Sequence, residues 1–123
     1  MAAMEQVQSV TLEAGADLSA DQFTFVVVAA DGQVDQVSSA GGEVDGVLLN
    51  DPAAAGRAAT VAYAGVVKVY AGGTVASGAK VQSDASGAAI TAASGDLVVG
   101  KCVKGGAVGE LIEVLLISQH ILA

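Results

Sequence analysis

Three features of the 123-residue sequence predict an all-β fold. Valine dominates the large apolar residues, while the strong helix formers Glu, Lys, Arg and Met are scarce. Sixteen glycines break the chain at short intervals, as tight turns between short strands require. No 3.6-residue apolar stripe runs far enough to demand a long helix.

The strands are expected near residues 23–29, 33–37, 46–49, 60–63, 66–70, 80–83, 88–91, 97–104 and 110–117. Asp31-Gly32 and Ser86-Gly87 stand where hairpins need residues tolerant of positive φ. Asn50-Asp51-Pro52 opens a longer loop, because proline withholds an N–H from any ladder. Single helical turns are allowed at 18–21 and 74–77. Phe23 and Phe25, two apart on one strand, are expected to share a buried face, and Tyr63 and Tyr70 to flank a turn at Gly65, partly exposed.

The chain also carries an internal repeat. ADLSADQFTFVVVAADGQV, EVDGVLLN and AAGRAATVAY are followed by GGTVASGAKVQSDASGAAI, DLVVGKCVK and AVGELIEVLL. Asp31-Gly32 then corresponds to Ser86-Gly87, Gly46 to Gly100, Gly56 to Gly109 and Val61 to Val114. Two motifs, about 17–70 and 71–117, are each too small to bury a core alone. Together they predict a single domain over 17–123, a small pseudo-symmetric β-barrel or sandwich. Residues 1–16 stand apart as an extended N-terminal arm able to add to another subunit's sheet; a first edge strand or a frayed tail fits the same residues. Val7, Val10 and Leu12 are the candidate contact residues of that arm.

Charged residues make up 15% of the chain, against about 25% in an ordinary domain. So few charges leave a wide, weakly polar surface that a partner protein is expected to cover. The net charge of −8 argues against nucleic acid, whose phosphates reward Lys and Arg. The most apolar stretch, 111–123, is too short to span a bilayer and contains Glu113 and His120, so no membrane segment is expected. No secretory signal is read at the N-terminus.

Catalytic groups are thin. His120 is the sole histidine and lies close to the C-terminus, where fraying would spoil acid–base positioning. Cys102, the sole cysteine, sits in an apolar run and is expected to be buried and inert. One Cys and one His make no soft metal site. Asp31-Gly32-Gln33-Val34-Asp35 offers two oxygen ligands and no closing glutamate, so a solvated hairpin is expected over a calcium loop. Neither GxGxxG after a strand nor GxxxxGK[ST] occurs. The sequence thus predicts no enzyme, no catalytic or cofactor-binding residue, no metal and no small-molecule substrate.

The ordered series GVLLNDPAAAGRAATVAYAGVVKVYAGGTVASGAKVQSDASGAAI…GDLVVGKCVKGGAVGELIEVLL resembles the capsid cement, or head decoration, proteins of tailed bacteriophages. The pieces carrying the resemblance are Gly46-Val47, 55–61, 65–69, 78–81, 83–87 and 99–115, within roughly residues 15–117. The resemblance implies a structural virion protein made in the host cytoplasm and placed on the outer capsid surface. There it would lock neighbouring major capsid protein subunits together as a homotrimer, without a cofactor. Other classes remain open: a different virion β-module of tail or baseplate, or a biotinyl- or lipoyl-like carrier domain. The carrier needs a lysine at a hairpin tip, whereas Lys68, Lys80, Lys101 and Lys104 fall in or beside expected strands.

Overall fold

The computed structural model describes residues 7–122, without the Ser118 side chain. It is all-β: the described residues form nine strands and no helix. These are β1 (Val7–Ala14), β2 (Phe25–Ala30), β3 (Gln33–Gln36), β4 (Gly46–Leu48), β5 (Ala58–Tyr70), β6 (Lys80–Ser83), β7 (Ala89–Thr91), β8 (Leu97–Lys104) and β9 (Leu111–Ile121). The stretch at 18–21 holds only a turn, and 74–77 carries the isolated bridge of Val75 with Gly106 and runs into a turn, so neither is a helix.

One mixed sheet runs β1-β3-β2-β4-β5-β9-β8-β6-β7 and closes on itself twice. In the first closure β1 pairs antiparallel with the first half of β5, completing a ring of β1, β3, β2, β4 and β5. In the second, a parallel bridge between Ala71 and Ala89 joins the end of β5 to β7, completing a ring of β5, β9, β8, β6 and β7. The two rings share one pairing pattern. β1 pairs parallel with β3 as Ala71 does with Ala89, β2 with β4 as β6 with β8, and β4 with β5 as β8 with β9. Loop hydrogen bonds repeat as well: Gly15 N–H to Val34 C=O matches Gly72 N–H to Ala89 C=O, both 2.8 Å.

This pattern departs from the expected boundaries. Val7–Ala14 takes the alternative of a first edge strand over that of a separate arm: it is built into the first ring opposite 58–65, with Leu12 facing Ala59 and Val10 facing Val61. Residues 1–6 of that expected arm lie outside the described residues. The second ring begins at Gly65 rather than at 71. Gly65 is not a turn: β5 runs through it with φ +101°, and it pairs with Val7 and with Leu116. Thus one strand ends the first ring and begins the second.

Two cores follow. Ala14, Leu18, Val26, Val34, Leu48, Ala59 and Val61 fill the first ring. Their positional counterparts Ala71, Val75, Val81, Ala89, Cys102, Ile112 and Val114 lie in the second core. That core is larger: Phe25, Val47 and Ala62 join it from the outer face of the first ring, and Val37, Val44, Val67, Val69 and Val99 add to it. Phe25 alone, fully buried, contributes about 1.5–3 kcal/mol by removal from water.

Close strand contact requires glycine at two equivalent places. A Cβ on Gly46 would collide with the Ala62 carbonyl and Val61, and one on Gly100 with Val114 and the Leu115 carbonyl. The β2–β3 and β6–β7 turns carry Gly32 and Gly87 at φ +69° and +77°, as hairpins with left-handed residues need.

Candidate interaction surface

On the outer face of the second ring, directly opposed residues of neighbouring strands share one side of the sheet. The rows are Tyr70–Leu111, then Lys68–Glu113–Lys104, then Val66–Leu115–Lys101–Lys80. All four lysines of the chain therefore stand on one face, each exposed, with Glu113 the one carboxylate inside the rows. Tyr70, Leu111 and Leu115 are about two-fifths exposed there, and Ile117 continues the line along β9. Lys80 and Lys101 face each other directly, a like-charged cross-strand pair that weakens the sheet locally.

The charge partition is uneven. Residues 1–64 hold nine of the thirteen carboxylates and only Arg57, for a net −8, whereas 65–123 balance four carboxylates with four lysines. Sequence reading found the lysines in strands but could not gather them. Period-2 alternation shows which side a residue takes, and only the strand order shows that β5, β9, β8 and β6 are neighbours.

The predicted contact residues divide. Val7 and Val10 are exposed on β1, at 37% and 43%. Leu12 instead is half-buried against the first core, so most of its side chain already has a partner. Beyond Glu13 and Ala14, β1 makes no ladder on its β3 side among the described residues, so its Val7–Leu12 portion is a sheet edge.

Phe23 and Phe25 do not share a face. Phe25 opens β2 and is fully buried, whereas Phe23 precedes the strand with φ +62°. Its ring packs at 60° to that of Tyr70, centroids 6.4 Å apart. The Tyr70 N–H donates to the Phe23 carbonyl at 3.0 Å, which ties this loop to the second ring. On the far side, the Gln119 side chain clamps the backbone of Val44, accepting its N–H at 3.2 Å and donating to its carbonyl. The cleft beside this clamp, lined by Gly46, Tyr63, Val99 and Leu116, holds about 40 Å³, far below the ~300–1,000 Å³ of small-molecule sites.

The titratable residues singled out from sequence lie apart. Cys102 is buried, which pushes its thiol pKa up. His120 is exposed within β9 opposite Val98, in a strand rather than on a tail. Among the described residues no three His, Cys, Asp or Glu side chains converge as a metal site. The Asp17 carboxyl is held below its ordinary value by hydrogen bonds from the Ser19 side chain and backbone. Asp21 is raised by partial burial and then by the charge of Asp17, while its Oδ1 accepts from Gln36 Nε2 at 2.8 Å.

No family model matches the chain. No curated protein matches it either. Among solved structures the chain is similar to the N base of the head fiber protein gp8.5 of bacteriophage phi29, at 19% identity and a TM-score of 0.68. The likeness covers 91% of this chain and 95% of that one, and at such identity it establishes a shared fold.

Proposed function

We propose that this chain is a non-enzymatic structural protein of a phage virion, bound to the outer surface of the head and stabilising contacts between major capsid subunits. The observation that carries this role is the likeness over nearly the full length of both chains to the base of a head fiber protein. The ordered motifs resembling head decoration proteins support the same role from sequence. So does the exposed apolar surface, which includes Val7, Val10, Tyr63, Leu115 and Ile121.

The repeated pairing pattern supports two related motifs meeting at Gly65. Val7 and Val10, on the edge of β1, are the proposed capsid contacts; Leu12 mainly holds that edge in place. A homotrimer multiplies such modest contacts, raising avidity by about 10²–10⁴ when all sites can be reached together. Binding would then stabilise the bound lattice by mass action.

Mixing the purified protein with undecorated heads tests the role directly. Saturable occupancy at symmetric positions, with heads that resist heat better, is the expected result. Absence of binding to heads of every available maturation state, or binding to tails alone, would overturn it.

A further inference from the structure

We propose that copies of this chain associate head to tail, the Lys80–Lys101 row of one copy receiving the Asp31-Gly32 turn of the next. This deepens the homotrimer proposed above and rests on it.

The contact already exists once inside the chain. In the first ring, Phe25, Val47 and Ala62 form one cross-strand row, each fully buried in the core shared with the second ring. At the end of that row the Phe25 N–H donates to the Gly87 carbonyl at 2.7 Å, in the β6–β7 turn. A Cβ on Gly87 would stand 2.9 Å from the Phe25 carbonyl, so the turn is pressed against the row. A row of the first ring is thus seated on a turn of the second.

Each half of that contact has an unused counterpart. The second ring's matching row is Lys80–Lys101–Leu115, and it is exposed. The first ring's matching turn is Asp31-Gly32, exposed, with nothing near a Cβ built on Gly32. One chain therefore presents a free row at one end and a free turn at the other. The substitutions at the two are complementary. Lys80 and Lys101 stand where the internal contact has Phe25 and Val47, and Asp31 stands where it has Ser86.

Charge decides the occupant. Two lysines directly opposite each other gain most from an approaching carboxylate. A second copy brings one at the corresponding turn, within a half-chain of net −8. Nucleic acid fits less well, because its phosphates would lie against the apolar Leu115 and Val66 and beside the Glu113 carboxylate of the neighbouring row. A heterologous contact of this kind closes into a ring or runs into a filament, and the homotrimer is the closed form.

Charge reversal tests the contact on the whole protein, with light scattering after size-exclusion chromatography as the readout. Wild-type protein should associate at low salt and dissociate as salt rises. Lys80→Glu with Lys101→Glu, and separately Asp31→Lys, should each weaken association at least ~10-fold with the melting temperature of the protomer unchanged. Mixing the two variants should restore a heterodimeric contact. A wild-type monomer at low salt, or association indifferent to both variants, would overturn the proposal. Loss of head binding by the double variant with self-association intact would overturn it too, while leaving the capsid role standing. Loss of self-association with head occupancy unchanged would support it.

Discussion

Phe23 and Gly78 occupy the same place in the two rings. Both have left-handed backbones, with φ of +62° and +86°, and each donates its N–H at 2.7 Å to a carbonyl of the paired strand, Leu48 and Cys102 respectively. The geometry suits glycine at 78 and costs a side-chain-bearing residue ~1–2 kcal/mol at 23. What holds Phe23 there is its ring on Tyr70 together with the Tyr70 N–H on its carbonyl. Phe23→Gly should therefore be more stable than Phe23→Ala by about 1 kcal/mol, the reverse of the order glycine shows elsewhere. Urea denaturation of the two variants measures the difference. A Phe23→Ala protein at least as stable as Phe23→Gly would exclude backbone strain at this residue.

Gly46 and Gly100 are glycines for a different reason. Both lack the space for a Cβ beside a neighbouring strand, whereas a Cβ on Gly56 would meet nothing within 4 Å. Gly46→Ala and Gly100→Ala should each cost about 2–3 kcal/mol through overpacking against backbone. Gly56→Ala, strained only by its φ of +85°, should cost about 1 kcal/mol. Equal losses at all three positions in equilibrium unfolding would show that space is not what selects glycine at 46 and 100.

These two pairs also show what the amino-acid order reveals. Turns at Asp31-Gly32 and Ser86-Gly87, and the correspondence of Gly46 with Gly100, are legible because glycine reports local backbone demand. The bounds 80–83 and 97–104 match β6 and β8, bracketed by turn residues on both sides. Gly65 misleads for the same reason, since a left-handed glycine inside a continuous strand reads as a turn. β1 leaves little local signal, because its main partner lies some fifty residues along the chain and its pattern is almost wholly exposed. The lysine face required the strand order, which no local pattern encodes.

β1 gives a direct contrast between edge and core. Val10 is 43% exposed and Leu12 packs on the first core, although both were candidate contacts of one arm. Val10→Lys should change stability by less than about 0.5 kcal/mol, whereas Leu12→Lys should cost about 1–3 kcal/mol. If Leu12→Lys melts with the wild type, β1 is not held in the ring and is free to serve as an arm. Removing residues 7–14 should unfold the first ring instead of freeing a folded body, seen as loss of the β-sheet circular dichroism signal.

Cys102 sits where the first ring has Leu48, and burial raises its thiol pKa. The thiolate is the reactive form, so burial and the raised pKa both slow attack. A small disulfide reagent at pH 8 should modify the native thiol at least ~10-fold more slowly than the urea-unfolded one. Equal rates in the two states would mean that β8 opens readily.

Asp17 and Asp21 make the sharpest pH prediction, because neighbouring carboxyls are shifted in opposite directions. Asp21 is raised by burial and by Asp17, so its ionisation costs the folded state; that cost is absent below the ordinary Asp value of 3.8 and complete above its folded pKa. Asp17 is lowered by its hydrogen bonds from Ser19, so its ionised form favours folding above that same value, and the gain is lost as pH falls through its folded pKa. At pH 7 Asp21→Asn should raise the melting temperature, since Asn keeps an acceptor for Gln36 and carries no charge. Asp17→Asn should lower it, because a neutral amide oxygen accepts from Ser19 more weakly than the carboxylate does. Both differences should fade as the pH falls into the acid range, where all the carboxyls are protonated in either state. Melting curves of the two variants from pH 7 downward check the sign. Stabilisation by both variants would show that relief of the Asp17–Asp21 repulsion outweighs the hydrogen bonds from Ser19, and shifts that persist unchanged in acid would show that the carboxyl charges do not cause them.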